Sequence, residues 1–182
     1  MKFFISGVAG FIGFHLTRSL LEMGHEVVGV DNLNDYYDPR LKKSRLAHIH
    51  GSFEERFNFK LCSLENRKEL DLIFEQNEFD TVINLAAQAG VRYSLENPNA
   101  YLDSNLIGFM NILEVVKDSK IKHFIFASSS SVYGMNEKRP FSTSDNTDYP
   151  ISLYAATKKS NEMLAFSYSH LFNIATTGLR FF

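Results

Sequence analysis

The sequence is poor in the residues that staple or segment a chain, with one cysteine, Cys62, and four prolines in 182 residues. A lone thiol excludes an internal disulfide and leaves no cysteine cluster for zinc, which points to a reducing, cytoplasmic setting. The six histidines, at 15, 25, 48, 50, 123 and 170, are scattered. His48 and His50 are the nearest pair and have no acidic or cysteine companion at ligand spacing, so no metal is expected. A formal net charge of -2 lacks the basic excess that nucleic-acid binding requires. No apolar run reaches the ~18 residues of a membrane helix, so no membrane partner is expected. The apolar start Met1–Gly7 is too short for a signal peptide and meets glycines where a cleavage site would lie, so it reads as a first strand. With no linker-like stretch, charge run or internal repeat, the chain reads as one domain over residues 1–182.

What is present alternates. Apolar, β-type runs at 2–6, 26–30, 57–61, 80–86, 122–128 and 173–180 are separated by helical patterns, as in a doubly wound parallel α/β sheet. The runs 81–87 and 123–128 have no polar alternation, which fits strands covered by helices on both faces. The first helix is expected from about 11 to 23, with Ile12, Leu16, Leu20 and Met23 at helical spacing and Gly24 as its stop. A basic patch, Arg40, Lys42, Lys43 and Arg45, falls in the second helix and reads as a solvated face.

Gly7, Gly10 and Gly13 follow the first strand and open the first helix. Glycines there let backbone N–H groups approach a pyrophosphate, and the helix N-terminus adds roughly half a positive charge. Asp31 lies 18 residues beyond Gly13, at the end of the second strand, where a carboxylate accepts from ribose hydroxyls. The acid favours NAD over NADP, while Arg40 or Lys42 beside a 2'-phosphate keeps NADP open. No Lys-Ser or Lys-Thr follows the glycines, which excludes a P-loop.

Tyr154 and Lys158 are one turn apart, so a helix sets phenol and ammonium on one face. Making tyrosine a base near pH 7 means stabilising its phenolate by roughly 3 units, about 4 kcal/mol, more than one lysine is expected to supply. The serines 128–131 follow the fifth strand, at the sheet end where open α/β sheets bind ligands. A serine there can hold a substrate oxygen while Tyr154 takes its proton, and an oxidised nicotinamide would be the second cation. Lys159, one residue on, is expected to face away and be solvated.

These motifs together resemble the extended short-chain dehydrogenase/reductases, and among them the NAD-dependent nucleotide-sugar epimerases: Gly7-Val-Ala-Gly-Phe-Ile-Gly13, Asp31-Asn32, Asn84-Leu-Ala-Ala87, Ser128-Ser-Ser-Ser-Val-Tyr-Gly134 and Tyr154-Ala-Ala-Thr-Lys158. The resemblance implies a Rossmann fold, with Tyr154 as base, Lys158 as its partner and Ser129 in the serine/threonine role. It implies that Gly7, Gly10, Phe11, Ile12, Gly13, Asp31, Asn32, Ser63, Leu64, Leu85, Ala86, Ala87 and Ser104 contact NAD, with Tyr154 and Lys158. Tyr154 would take the proton of the sugar 4-hydroxyl as hydride leaves C4, and hydride return to the other face of the ketone would invert C4. Three stretches, 31–38, 87–94 and 150–158, resemble the UDP-glucuronate 4-epimerases, the CapI-like enzymes of capsule polysaccharide biosynthesis, while another UDP-sugar such as UDP-N-acetylglucosamine stays open. The dehydratases of the family carry Asp-Glu where this chain has Ser130-Ser131, which disfavours elimination. Ser130 and Arg92 are candidate substrate contacts, Arg92 either for an anion such as a uronate carboxylate or as a structural residue at a helix start.

The chain departs from the family in two ways. An Asp-hydrophobic pair that accepts from the adenine amino group is replaced by the neutral Ser63-Leu64. The lobe that binds the nucleotide-sugar is expected beyond Phe182, which predicts little epimerase activity for these residues alone and leaves a non-catalytic NAD-binding fragment as the alternative. The resemblance also implies a homodimer through the helices near 100–117 and 152–170.

Overall fold

The computed structural model describes all 182 residues. Six strands form one sheet: β1 (Lys2–Ser6), β2 (Glu26–Asp31), β3 (Phe57–Leu61), β4 (Thr81–Asn84), β5 (His123–Ser129) and β6 (Thr176–Phe181). Every pairing is parallel and the order is β3-β2-β1-β4-β5-β6. The chain winds outward from β1 to β3, then returns to the other side of β1, so the strand order reverses between β1 and β4. That reversal leaves a crevice at the carboxyl ends of these two strands.

The uninterrupted apolar strands follow from cover on both faces. Phe3 and Ile5 of β1 pack with Val27, Phe57 and Ile83 in one cluster. Phe4, between them in sequence, points into the other, with Val28, Val82, Phe124 and Phe126. The first layer is closed by α1 (Phe11–Glu22) and α2 (Pro39–Phe53), the second by α3 (Arg67–Glu75), α6 (Gly108–Lys117) and α7 (Leu153–Phe172). Two short helices, α4 (Tyr93–Glu96) and α5 (Pro98–Tyr101), and a π-helical segment, Leu102–Ile107, precede α6.

Four expectations are corrected. The run 80–86 is strand only over Thr81–Asn84, because Leu85 and its neighbours turn out into the crevice. In α1 the buried positions are Gly13, Thr17 and Leu21; Ile12 and Met23 are 42% and 68% exposed. Apolar spacing marks only the edge of the buried stripe: Leu16 and Leu20 pack against the core, but the helix approaches the sheet most closely through its smallest residue, Gly13. The stretch 100–117 is not one α-helix, since the π-helical segment interrupts it. The basic patch of α2 is only half a solvated face: Arg40 and Lys43 are exposed, but Lys42 is 5% exposed, and Arg45 donates to the Ala9 carbonyl at 3.0 Å.

The close approach of α1 is decided at two glycines. A Cβ on Gly13 would lie 2.0 Å from the Gly7 carbonyl oxygen. Gly7 has φ +77°, and a Cβ there would lie 2.8 Å from the Ala86 nitrogen. Gly24, at φ +87°, ends α1 with its N–H on the Leu21 carbonyl, as expected. Gly13→Ala forces α1 off the strand end, since backbone rather than a flexible side chain must yield. We expect a loss of about 3 kcal/mol, seen as a fall of roughly 6–12 °C in melting temperature by circular dichroism.

Candidate functional site

The crevice between β1 and β4 is a cleft of about 180 Å³ lined by Gly7, Gly10, Asp31, Asn32, Ser63, Leu64, Leu85, Ala86, Ala87 and Ser104. These are ten of the residues expected from sequence to contact a cofactor, and five different elements or their loops deliver them. Phe11, Ile12 and Gly13 stand at the start of α1, beside the cleft. No side chain caps this helix, and no carbonyl takes the N–H groups of its first three residues. Three free donors at a helix N-terminus, approached through glycines where a Cβ would collide, fit a dinucleotide pyrophosphate. Gly13 itself acts through helix packing rather than by lining the cleft.

Asp31 ends β2 with its carboxylate turned back to the glycine turn. It accepts from the Ala9 N–H at 3.2 Å and the Leu33 N–H at 2.9 Å, and the Lys42 Nζ lies 3.8 Å away. Lys42 donates to the carbonyl and the side-chain oxygen of Asn34, at 3.0 and 2.6 Å. Burial pulls the Lys42 pKa down and the Asp31 charge offsets part of that. The lysine is therefore engaged within the protein beside the acid expected to read a ribose. Cys62 lines the same cleft as an inert thiol, its pKa pushed up to about 12 by burial and then by Glu69 and Glu65.

At the other end, α7 sets Tyr154 and Lys158 beside the end of β5. Ser152 caps this helix by accepting from the Ala155 N–H at 3.1 Å, so the tyrosine sits in its first turn. Lys158 is 3% exposed and donates to the Ala127 carbonyl at 3.0 Å, with Nζ 6.0 Å from the Tyr154 ring centroid. Burial lowers the Lys158 pKa to about 8. Tyr154 moves up, because burial of its phenol outweighs a hydrogen bond with the Ser129 side chain. The neighbouring ammonium thus does not by itself make a phenolate, consistent with the need for a second cation.

The serine tract divides its labour. Ser129, the last residue of β5, faces Tyr154 and accepts from the Ser131 N–H at 3.1 Å. Ser128 is buried and donates to Glu162 at 2.6 Å, and Arg180 binds the same carboxylate through two hydrogen bonds of 2.9 Å. Burial pushes Glu162 up, but these bonds hold it below the usual carboxylate range. Ser130 opens the short 3-10 turn Ser130–Tyr133 next to Ser129. Arg92 is exposed at the start of α4, the short helix that touches α7, and makes no ion pair. Lys159 is not simply solvated, because it donates to Thr147 at 2.6 Å.

Asn105, unremarked in the sequence, ties the two ends of the site together. It accepts from the Gln88 N–H at 2.8 Å, donates to the Gln88 carbonyl at 3.0 Å and to Thr157 at 3.1 Å. A π-helical turn brings its side chain inward, and such turns recur at functional sites. Tyr36, Tyr37, Gln88 and Glu65 also line the cleft without having been singled out. Tyr101 meets the Tyr154 ring edge-on at 6.1 Å and donates to the Ala89 carbonyl at 2.8 Å. The stretches 31–38 and 87–94 carried a signal for Tyr36, Tyr37 and Gln88, and none marked Glu65, Tyr101 or Asn105.

A family described as GDP-mannose 4,6 dehydratase matches residues 4–182. The chain belongs to this family of NAD-dependent nucleotide-sugar enzymes. Among its relatives, Protein CapI of Staphylococcus aureus is 58% identical over 182 residues, all of this chain and 54% of the relative. UDP-glucuronate 4-epimerase 3 of Arabidopsis thaliana is 48% identical over 181 residues, 98% of this chain and 41% of the relative. In three dimensions the chain superposes on UDP-glucuronic acid 4-epimerase from Bacillus cereus, in complex with UDP-glucuronic acid and NAD. That match has a TM-score of 0.88 and 34% identity, and covers 99% of this chain and 56% of the other. The chain therefore spans about half the length of the relatives it matches.

The charge state of Lys158 has a measurable consequence for a member of this family. Its folded pKa of about 8 lies below the 10.5 of an exposed lysine. Between these values the unfolded chain holds more protons than the folded one, so the fold gains stability as pH rises from about 8 to 10.5. Lys158→Met removes that dependence. The difference in unfolding free energy, wild type minus variant, is expected to rise by on the order of 3 kcal/mol across the interval in urea titrations.

Proposed function

We propose that this chain is the cofactor-binding and proton-transfer part of a UDP-glucuronate 4-epimerase. The reading rests on one convergence: Tyr154, one turn from the buried Lys158, packs edge-on against Tyr101, whose hydroxyl donates to Ala89 in the wall of the cleft that the glycine turn and Asp31 line. The phenolate of Tyr154 takes the proton of the sugar 4-hydroxyl, becoming the phenol, and returns it to the inverted product, while Ser129 holds the reacting oxygen. Lys158 orients that end of the site from the Ala127 carbonyl. Bound NAD would supply the hydride acceptor and, when oxidised, the second positive charge that Tyr154 needs. Gly7, Gly10 and the first turn of α1 hold the pyrophosphate, Asp31 the adenosine ribose, and Leu85, Ala86 and Ala87 form the apolar wall of the cleft.

Epimerisation is favoured over dehydration because Ser130 and Ser131 offer no carboxyl group to protonate and expel a hydroxyl. The uronate is argued from the three stretches shared with such enzymes, with the unpaired Arg92 as a candidate partner for its carboxylate. The match to half of each relative supports a second reading, an NAD-binding piece that does not turn over alone. Incubating the chain with NAD and UDP-glucuronate separates them: conversion to the 4-epimer excludes the binding-only reading. If the chain turns over, Tyr154→Phe is expected to lower kcat by at least about 10²–10⁴-fold, with NAD affinity by calorimetry changed less than about threefold.

Two copies are proposed to pair across α6 and α7. Ile107 and Met163 are 51% and 61% exposed, and with Met110 and Leu164 they line one apolar groove between these helices. Met163→Glu would bury a charge at that contact. Light scattering is expected to give a dimer for the wild type and a monomer for the variant, with unchanged circular dichroism. We place the protein in the cytoplasm on the strength of its single, buried thiol.

A further inference from the structure

We infer that Glu65 makes the cleft selective for a 6-aminopurine by converting two serines into obligate hydrogen-bond acceptors. The inference rests on the NAD reading above and concerns the adenine end of that site. Asp31, proposed to hold the adenosine ribose, ends β2, and β3 is its outer neighbour in the sheet. The Cys62 N–H donates to the Asp31 carbonyl at 3.2 Å, so the segment leaving β3 runs directly past the ribose position. A purine attached to that ribose, on the side away from β4 and Tyr154, meets Ser63, Leu64 and Glu65.

That segment is firmly held. Leu64 is buried, and its carbonyl accepts from Asn111 of α6 at 2.9 Å. Gly108, the first residue of α6, lies so close that a Cβ would come within 2.8 Å of the Leu64 Cβ. The Ser63 carbonyl accepts from the Asn66 N–H at 3.0 Å. The side chains at this position are therefore not those of a free loop.

Ser63 Oγ donates to one oxygen of Glu65, and Ser104 Oγ donates to the other at 2.8 Å. All three residues line the cleft. A serine hydroxyl ordinarily serves either role, since its proton rotates to suit the partner. Here the only proton on each oxygen is committed to a carboxylate, which leaves lone pairs alone to face a ligand. The carboxylate also polarises both hydroxyls and strengthens them as acceptors. A neutral Ser63 thereby does what the family's aspartate does, with the negative charge set two residues along. An exocyclic amino group has the donors such an edge requires. A 6-oxo group presents lone pairs to lone pairs and leaves the site's polar atoms unpaired, the arrangement that discriminates most strongly between ligands.

Calorimetry with NAD and with nicotinamide hypoxanthine dinucleotide, which carries a 6-oxo group and the accompanying N1 proton in place of the 6-amino group, tests this on the 182-residue chain. NAD is expected to bind at least about tenfold more tightly than the hypoxanthine analogue. In Glu65→Gln the amide can donate to Ser63 and free its proton, so the preference should fall to within about twofold. Adding Ser63→Asp to that variant should restore it. Taking the ratio of two ligands on one protein removes any common loss of folded material. Equal binding of the two dinucleotides by the wild type, or an unchanged preference in Glu65→Gln, overturns the role of Glu65 and leaves the NAD reading standing. Binding of neither dinucleotide overturns both.

Discussion

The contact between the first turn of α1 and the end of β1 is the constraint on which the site depends. Only a hydrogen at Gly13 lets the helix lie against the Gly7 carbonyl, and only at φ +77° can Gly7 turn the chain beneath Ala86. The approach does two things at once. It buries the Gly13, Thr17 and Leu21 stripe against the sheet, and it aims three unpaired N–H groups into the crevice where strand order reverses. Packing and an open helix N-terminus are thus two results of one steric fact, and a larger residue at Gly13 would disturb both.

The reacting end shows a different balance, in which burial works against the chemistry. Taking Lys158 out of water lowers its pKa to about 8, and taking Tyr154 partly out of water raises the tyrosine. Each group is pushed toward its neutral form, as desolvation requires. Neither shift favours a phenolate, so a tyrosine base at this position calls for a further positive charge beside it. Ser129 provides the opposing pull, since its hydrogen bond favours the phenolate.

Much of the fold was legible because its signals are local. All six strands appear within three residues of their expected bounds, since β-type apolar runs between amphipathic stretches leave few alternatives. Gly24 stops α1 because a left-handed residue is needed there. The misreadings occur where a side chain's environment is set by a distant element. Lys42 looked solvated by composition but is buried by the turn carrying Asn34 and by Asp31. The exposed Ile12 and Met23 of α1 looked like core, because periodicity alone cannot show which face meets the sheet.

The sequence by itself determined the parallel α/β class, the glycine turn with Asp31 at the end of the next strand, and the tyrosine and lysine one turn apart. Each of these depends on spacing along the chain, within one helix, across one strand–helix–strand unit, or in the alternation of apolar runs. Tertiary structure decided which serine faces the phenol, that Ser128 instead serves Glu162 and Arg180, that Asn105 joins both ends of the cleft, and that Glu65 holds Ser63 and Ser104. Those are contacts between residues as many as 52 positions apart. A hydroxyl's role depends on which partner takes its proton, and only the packed sheet and helices set that partner in place.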